Sequence, residues 1–151
     1  MIVNIKKLND RANIPVRGSE YAAGLDLCAV VNNGARSQRV PAGATVKIGT
    51  GIAMEIPEGY FGAVFARSGM ATKRGLRPSN CVGVIDSDYR GEIIVALHND
   101  LGECQTIREG DRIAQLVIMP YLGVQLNEVD ELTETVRGAG GFGSTGVSTQ
   151  A

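Results

Sequence analysis

The sequence predicts an all-β sandwich or barrel built as one domain. Three observations carry this reading. Runs rich in Val, Ile and aromatics recur along the chain, each about five to seven residues long. Turn signals separate them roughly every ten residues, drawn from twenty glycines and five prolines. A helical signal occurs at one point only. In order, the first run is Leu25–Val31, entered through Ala23-Gly24. Ala44–Ile48 follows the turn Pro41-Ala42-Gly43, and Ile52–Ile56 runs up to the turn Pro57-Glu58-Gly59. Tyr60–Ala66 leads into Ser68-Gly69-Met70-Ala71-Thr72-Lys73, where one short helical segment can start. Gly83 to Ile85 and Glu92–His98 flank a polar tip and read as the arms of a β-hairpin. Arg112–Met119 follows Glu109-Gly110-Asp111, and Val124–Val129 completes the series. Leu126 to Arg137 is acidic and glycine-free, and suits either a continued strand or a linker. No repeat of fixed period is present.

Composition narrows the function classes. A chain of 151 residues can bury roughly 68–70% of its unfolded surface as a single domain. With 44% hydrophobic and 21% charged residues, the body of the chain has a globular balance rather than a disordered one. A net charge of −1 argues against a protein that coats nucleic acid or an anionic membrane, but does not exclude a small anion held by a few converging arginines. No apolar run approaches the roughly 18 residues of a membrane span. Met1 to Lys7 lacks the apolar core and cleavage site of a signal peptide. Cys28, Cys81 and Cys104 are odd in number and widely spaced, which predicts buried free thiols rather than disulfides or a zinc site. These features predict an intracellular, reducing location: cytoplasm, nucleus, or a host cell for a viral protein. His98 is the only histidine, so imidazole metal clusters and a Ser-His-Asp triad are poor readings, and a structural role suits it better.

Five segments carry chemistry. Gly83 to Glu92 holds Asp86, Asp88 and Tyr89 at one tip, where a fixed carboxylate can orient a water and an aromatic can wall a pocket. Alone, such a stretch is most often an ordinary acidic turn. Ala66-Arg67-Ser68-Gly69-Met70 offers a guanidinium, a hydroxyl and helix-start amides, a combination that suits phosphate oxygens. In Gly110 to Leu116, alternation places Arg112, Ala114 and Leu116 on one face and Ile113, Gln115 and Val117 on the other. Gln115 then needs partners for its amide, which a ligand could supply. Asp26 lies inside an apolar strand, and is either paired with an arginine or faces a charged site. Beyond Val136 the chain becomes Arg137-Gly138-Ala139-Gly140-Gly141-Phe142-Gly143-Ser144-Thr145-Gly146, too poor in large apolar side chains to form a core. Gly138 to Gly143 matches G-x-G-x-x-G, but only eight residues follow, so no dinucleotide-binding unit can form. The segment is a flexible tail, or an arm that closes over a ligand with Phe142 stacking on a flat ring and Arg137 neutralising charge. The inventory suits water attacking a phosphorus, with Mg²⁺ held largely by substrate phosphates.

In order, these segments resemble the five motifs of the homotrimeric dUTP pyrophosphatase (dUTPase) family: Ala23 to Leu27, Ala66 to Ala71, Asn80 to Glu92, Gly110 to Leu116, and Arg137 to Gly146. The resemblance covers nearly the whole chain. It implies a jelly-roll-like subunit spanning 1–136, a lid arm spanning 137–151, and a homotrimer with composite active sites. The third motif would come from one subunit, the first, second and fourth from its neighbour, and the arm from the third. It further implies hydrolysis of dUTP to dUMP and pyrophosphate with Mg²⁺ as cofactor. Asp86 would be the general base acting on water at the α-phosphorus. Asn80 and the backbone of Val84, Ile85 and Asp86 would read the uracil edge. Tyr89 would lie under the deoxyribose and exclude a 2′-hydroxyl, with Ile94 in the same pocket. Arg67, Ser68, Gly69 and Gln115 would hold the phosphates. Asp26 would act at one remove, through the metal's waters or a neighbouring arginine. Arg137, Phe142, Gly143 and Ser144 would close the lid. Ala66 stands where the family usually has proline, and Met70 where it has leucine; both changes are apolar and spare the phosphate groups.

Competing readings explain less. A dCTP deaminase would share the scaffold but resembles a chemistry needing a glutamate to activate water, whereas this tip offers Asp86-Ser87-Asp88-Tyr89. A catalytically idle binding module sits badly with a full set of catalytic groups. A structural sandwich such as a capsid or lectin module leaves the Asp86 tip and the Arg137 to Gly146 segment without a role.

Overall fold

The computed structural model describes residues 1–31 and 36–141. Alternating apolar positions and closely spaced turns give a chain of short strands and one helix. The strands are β1 (Asn4–Lys7), β2 (Val16–Arg17), β3 (Leu25–Cys28), β4 (Ser37–Val40), β5 (Thr45–Gly49), β6 (Ile52–Glu55), β7 (Tyr60–Phe65), β8 (Leu76–Pro78), β9 (Gly83–Ile85), β10 (Ile94–Asn99), β11 (Gln105–Arg108) and β12 (Arg112–Pro120), with α1 (Ser68–Arg74) between β7 and β8. Every pairing between these strands is antiparallel. The largest sheet runs β2-β3-β12-β7-β9, a second runs β5-β10-β8, and β1-β6 and β4-β11 form two ribbons. This is the expected all-β, jelly-roll-like body with one short helix.

The core lies between these layers. Leu27, Ile52, Leu76, Ile93, Leu97, Ile107, Ile113 and Leu116 are fully buried, so each sheet contributes the inward set of its period-two alternation. Gly62 on β7 permits a close approach: a Cβ there would sit 2.9 Å from Leu116 and 3.2 Å from the Ile85 Cβ, which would push β9 off the sheet. Gly75 stops α1 in the left-handed region, at φ 58°, and returns its amide to the Met70 carbonyl.

Four expectations are corrected. The arms around Asp86 do not form a hairpin, because β9 pairs with β7 while β10 pairs with β5 and β8; the tip crosses from one sheet to another. Strict alternation fails at the start of β12, where a bulge between Arg112 and Ala114 buries both Ile113 and Ala114 and turns Arg112 outward. No strand forms at Val124–Val129, since residues 121–136 are exposed and find no ladder partner among the described residues. The thiols are free, as expected, but Cys81 and Cys104 are exposed and Cys28 only half-buried. His98 takes the structural role, sharing a hydrogen bond with Thr45 at 3.0 Å.

Candidate active site

β9 is the outermost strand of the large sheet, so one of its edges carries no neighbouring strand among the described residues. From its end, residues 86–92 loop outward and come back to enter β10. Val84, Ile85, Asp86, Tyr89, Glu92 and Ile94 line a narrow cavity of about 160 Å³. Local bonds set the shape of this loop. The Tyr89 amide donates to the Asp86 carbonyl at 3.2 Å, and Arg90 donates to the Ser87 carbonyl at 2.6 Å. The Tyr89 ring lies over Gly91, where any Cβ would collide with it, and its hydroxyl donates to the Glu92 carbonyl at 3.0 Å. Asp86 and Tyr89 are exposed at the cavity mouth. Asn80 does not line the cavity; it stands beside Gly83 at the start of β9. A wider depression of about 900 Å³ shares Val84 and Asp86 and opens toward Phe61 and Tyr121, which meet edge to face.

A second cavity, of about 390 Å³, gathers Gly18, Ala22, Gly24, Asp26, Arg67, Ser68, Gly69 and Gln115. Asp26 on β3 is only 8% exposed and is paired with two guanidiniums. Arg67 donates to it through Nε at 2.7 Å and a terminal nitrogen at 3.4 Å, and Arg112 donates to Oδ2 at 3.1 Å. Of the two alternatives the sequence left for Asp26, arginine pairing is the one observed. Two cations on one buried carboxylate leave the cluster net positive, which suits an incoming anion. Gln115 stands directly across from Asp26, and its Nε2 donates to the Ala66 carbonyl at 2.9 Å, steadying the segment that carries Arg67. Gly24 makes room for that amide, because a Cβ there would lie 2.5 Å from Gln115 Oε1. Ser68 and Gly69 open α1, where first-turn amides have no partner within the helix. Cys28, two residues beyond Asp26, has its thiol pushed up by burial and then by the Asp26 charge, with Arg112 and Arg67 opposing.

The two cavities lie apart on one chain. Along β7, Gln115 is level with Phe65 and Ile85 with Gly62, so Asp86 falls about four residues down and two strands across from Gln115. At strand spacings of about 3.4 and 4.8 Å that is roughly 17 Å. The cavity bearing Asp86 and the one bearing Arg67 are thus separate on a single chain. Arg137 is exposed, donates to the Gly140 carbonyl at 2.8 Å, and lines neither cavity. Phe142, Gly143 and Ser144 lie outside the described residues.

Two residues of this region are not assigned by sequence reasoning. Arg112 reaches Asp26 because of the bulge, which no alternation pattern reveals. Arg17 donates through its guanidinium to the carbonyls of Ala22 and Ala23 and so fixes the chain entering β3. A positive residue just before a glycine-rich turn is the signal that could have found it.

A family model for dUTPase matches residues 10–146. A relative from Desulfitobacterium hafniense, a deoxyuridine 5′-triphosphate nucleotidohydrolase, is 50% identical over 136 residues, spanning 89% of this chain and 88% of that protein. The chain belongs to the dUTPase family. Solved dUTPases agree with the fold. A point mutant of the dUTPase from Staphylococcus bacteriophage 80alpha, solved with dUpNHpp, superposes with a TM-score of 0.85 at 29% identity over 97% of this chain and 99% of that one. A mutant dUTPase from phage phi11 of S. aureus, described for its coordination of a structural Mg(II) ion, gives 0.76 at 27% identity over 87% and 98%.

Proposed function

We infer that this chain hydrolyses dUTP to dUMP and pyrophosphate, an activity that limits uracil in DNA and supplies dUMP for thymidylate synthesis. The observation that carries the reading is the pairing, on a chain of this family, of a narrow edge-strand cavity bearing Asp86 with a cationic cavity around Arg67. The uracil edge is read by Asn80 and the backbone of Val84, Ile85 and Asp86; the open edge of β9 supports this, because unpaired main-chain groups suit a flat, hydrogen-bonding ring. Tyr89 lies under the deoxyribose beside Ile94. Arg67, Ser68, Gly69 and Gln115 hold the phosphates, with Asp26 and Arg112 fixing the guanidinium of Arg67. Asp86 accepts a proton from water as its oxygen bonds to the α-phosphorus, and the bond from that phosphorus to the bridging oxygen breaks, releasing pyrophosphate. The arm 137–151 closes over the complex through Arg137, Phe142, Gly143 and Ser144, while 1–136 forms the catalytic body.

The site is completed between copies of the chain. The roughly 17 Å between Asp86 and Gln115 supports this. So does the alternating apolar surface of Leu122, Val124 and Leu126, each more than 70% exposed on the single chain. A homotrimer, with the tip cavity of one copy facing the cationic cavity of the next, satisfies both. Mg²⁺ is the cofactor. Among the described residues no cluster of three His, Cys, Asp or Glu could hold a metal, and both Asp26 oxygens already serve arginines, a donor set that fits an ion carried mainly by the substrate's own phosphates. Asp26 stands behind that ion at one remove, and when bound the ion supplies neutralisation of the triphosphate charge. Three free thiols support a reducing, intracellular location. The nearly neutral charge fits a protein that works without coating nucleic acid or an anionic membrane, and among the described residues no helix is long and apolar enough to cross a membrane.

The test is pyrophosphate release from dUTP, with dCTP, dTTP and UTP alongside, each with Mg²⁺ and with chelator. Fast, Mg²⁺-dependent release from dUTP alone is the expected result. Equal activity on all four would discard the uracil-deoxyribose pocket, and silence on all four would leave only a binding protein.

A further inference from the structure

We propose that Glu92 is a positioning residue for this reaction: its carboxylate, seated on the Gly51 amide, holds the Tyr89 ring in place and thereby sets the rejection of ribonucleotides. The proposal rests on the dUTP reading above. Most of the tip loop is exposed, including Asp86, Asp88, Tyr89 and Arg90, and the bonds made by Arg90 to the Ser87 and Tyr89 carbonyls stay within the loop. Apart from an exposed pairing of Arg90 with Glu55 on β6 at 3.6 Å, which water screens, its tie to the body of the protein runs through Glu92 and Ile93. The Glu92 carboxylate accepts the Gly51 amide at 2.7 Å. The Ile93 amide donates to the Ile52 carbonyl at 2.9 Å, and the Ile93 carbonyl accepts the Thr50 hydroxyl at 2.6 Å. The Glu92 carbonyl, the other end of that same peptide unit, accepts the Tyr89 hydroxyl at 3.0 Å. The aromatic ring is thus positioned by a peptide that the β5–β6 turn grips from three sides.

The turn is shaped for the carboxylate. A Cβ on Gly49 would fall 2.5 Å from Glu92 Oε1, so glycine there leaves the notch that the side chain fills. Gly51 itself adopts φ +66° and directs its amide at the acid. A glutamate needed only for solubility would extend into water, whereas this one is half-buried and spends an oxygen on a backbone amide. Discrimination between deoxyribose and ribose depends on excluding a single hydroxyl by contact, and a contact of that kind fails when its wall moves by a fraction of an ångström. Loss of the Glu92 anchor lets the Tyr89 wall shift without touching Asp86 or the phosphate groups.

The experiment measures kcat/KM for dUTP and for UTP in the full-length protein and in Glu92→Ala, Glu92→Gln and Gly49→Ala. Gly49→Ala evicts the carboxylate from the opposite side and so stands in if Glu92→Ala folds poorly. Both should reduce the dUTP-to-UTP preference by about tenfold or more, while Glu92→Gln, which keeps an acceptor oxygen, should stay within about threefold of the parent. A preference unchanged in both Glu92→Ala and Gly49→Ala would overturn the proposal and leave the dUTP reading standing. A loss in Glu92→Gln as large as in Glu92→Ala would also overturn it, because the charge rather than the anchor would then matter. If the parent protein itself shows no preference for dUTP, the dUTP reading falls and the proposal with it.

Discussion

Replacing Asp26 by Asn tests whether the buried carboxylate organises the phosphate cavity. Three donor contacts end on Asp26, from Arg67 at 2.7 and 3.4 Å and from Arg112 at 3.1 Å. Removing one partner of a fully buried ion pair costs about 3–5 kcal/mol. Here the arginine side chains are 26% and 55% exposed, so water takes over part of the lost interaction, and about 2 kcal/mol is the reasonable figure. For a chain of this size, each kcal/mol moves the melting temperature by about 2–4 °C, which predicts a fall of about 4–8 °C by calorimetry at fixed protein concentration. The loss of guanidinium orientation should also raise KM for dUTP more than it lowers kcat, because the change falls on the proposed phosphate cavity and leaves Asp86 untouched. A melting shift below about 1 °C together with an unchanged KM would refute the argument, since the ion triad would then organise nothing.

Asp86→Asn should leave binding and assembly intact and lower kcat by about a thousandfold, as steady-state kinetics would show; near-full turnover would remove Asp86 as the base. Deleting 138–151 should leave thermal unfolding unchanged and cripple hydrolysis, whereas parent-like kinetics would make the segment a tail without catalytic part. Gly24→Ala should displace Gln115 and raise KM for dUTP without changing selectivity against UTP; a selectivity change would mean that the two cavities are not separate in role. In alkylation followed by mass spectrometry, Cys81 and Cys104 should label before Cys28, whose rate should keep rising with pH above the ordinary thiol range. The native Cys28 thiol holds its proton to higher pH than the unfolded one, so its contribution to stability is complete below the unfolded pKa and is lost as pH rises through the folded one. Early labelling of Cys28 would contradict its burial.

Most of the central strands were legible because their apolar alternation is local. Ile52–Ile56, Tyr60–Ala66 and Arg112–Met119 each lie within a residue or so of β6, β7 and β12. Ser37–Val40 and Gln105–Arg108 escaped because SQRV and QTIR carry little apolar signal and pair only with each other. The tip around Asp86 is where the sequence places it but is not a hairpin, since sequence proximity says nothing about which sheet each arm joins. Val124–Val129 has the composition of a strand without a partner among the described residues, and strand propensity expresses itself only where a ladder is available. In the candidate site, Asp26, Arg67 and Gln115 line one cavity, and each stands out in the sequence as a polar residue within or beside an apolar strand. Arg112 did not, because its placement depends on a one-residue bulge.

Mixing two inactive variants tests most directly the proposal that the site is completed between copies of the chain. Asp86→Asn removes the proposed base and Arg67→Gln the proposed phosphate fork, so each alone should be nearly inert toward dUTP. Refolded together in equal amounts, random trimers pair an intact Asp86 from one chain with an intact Arg67 from its neighbour in about one quarter of sites. Pyrophosphate release should therefore recover to about one quarter of the parent rate. If the mixture stays as silent as its components while refolded parent protein is active, base and phosphate site belong to the same chain, and the composite-site account is wrong.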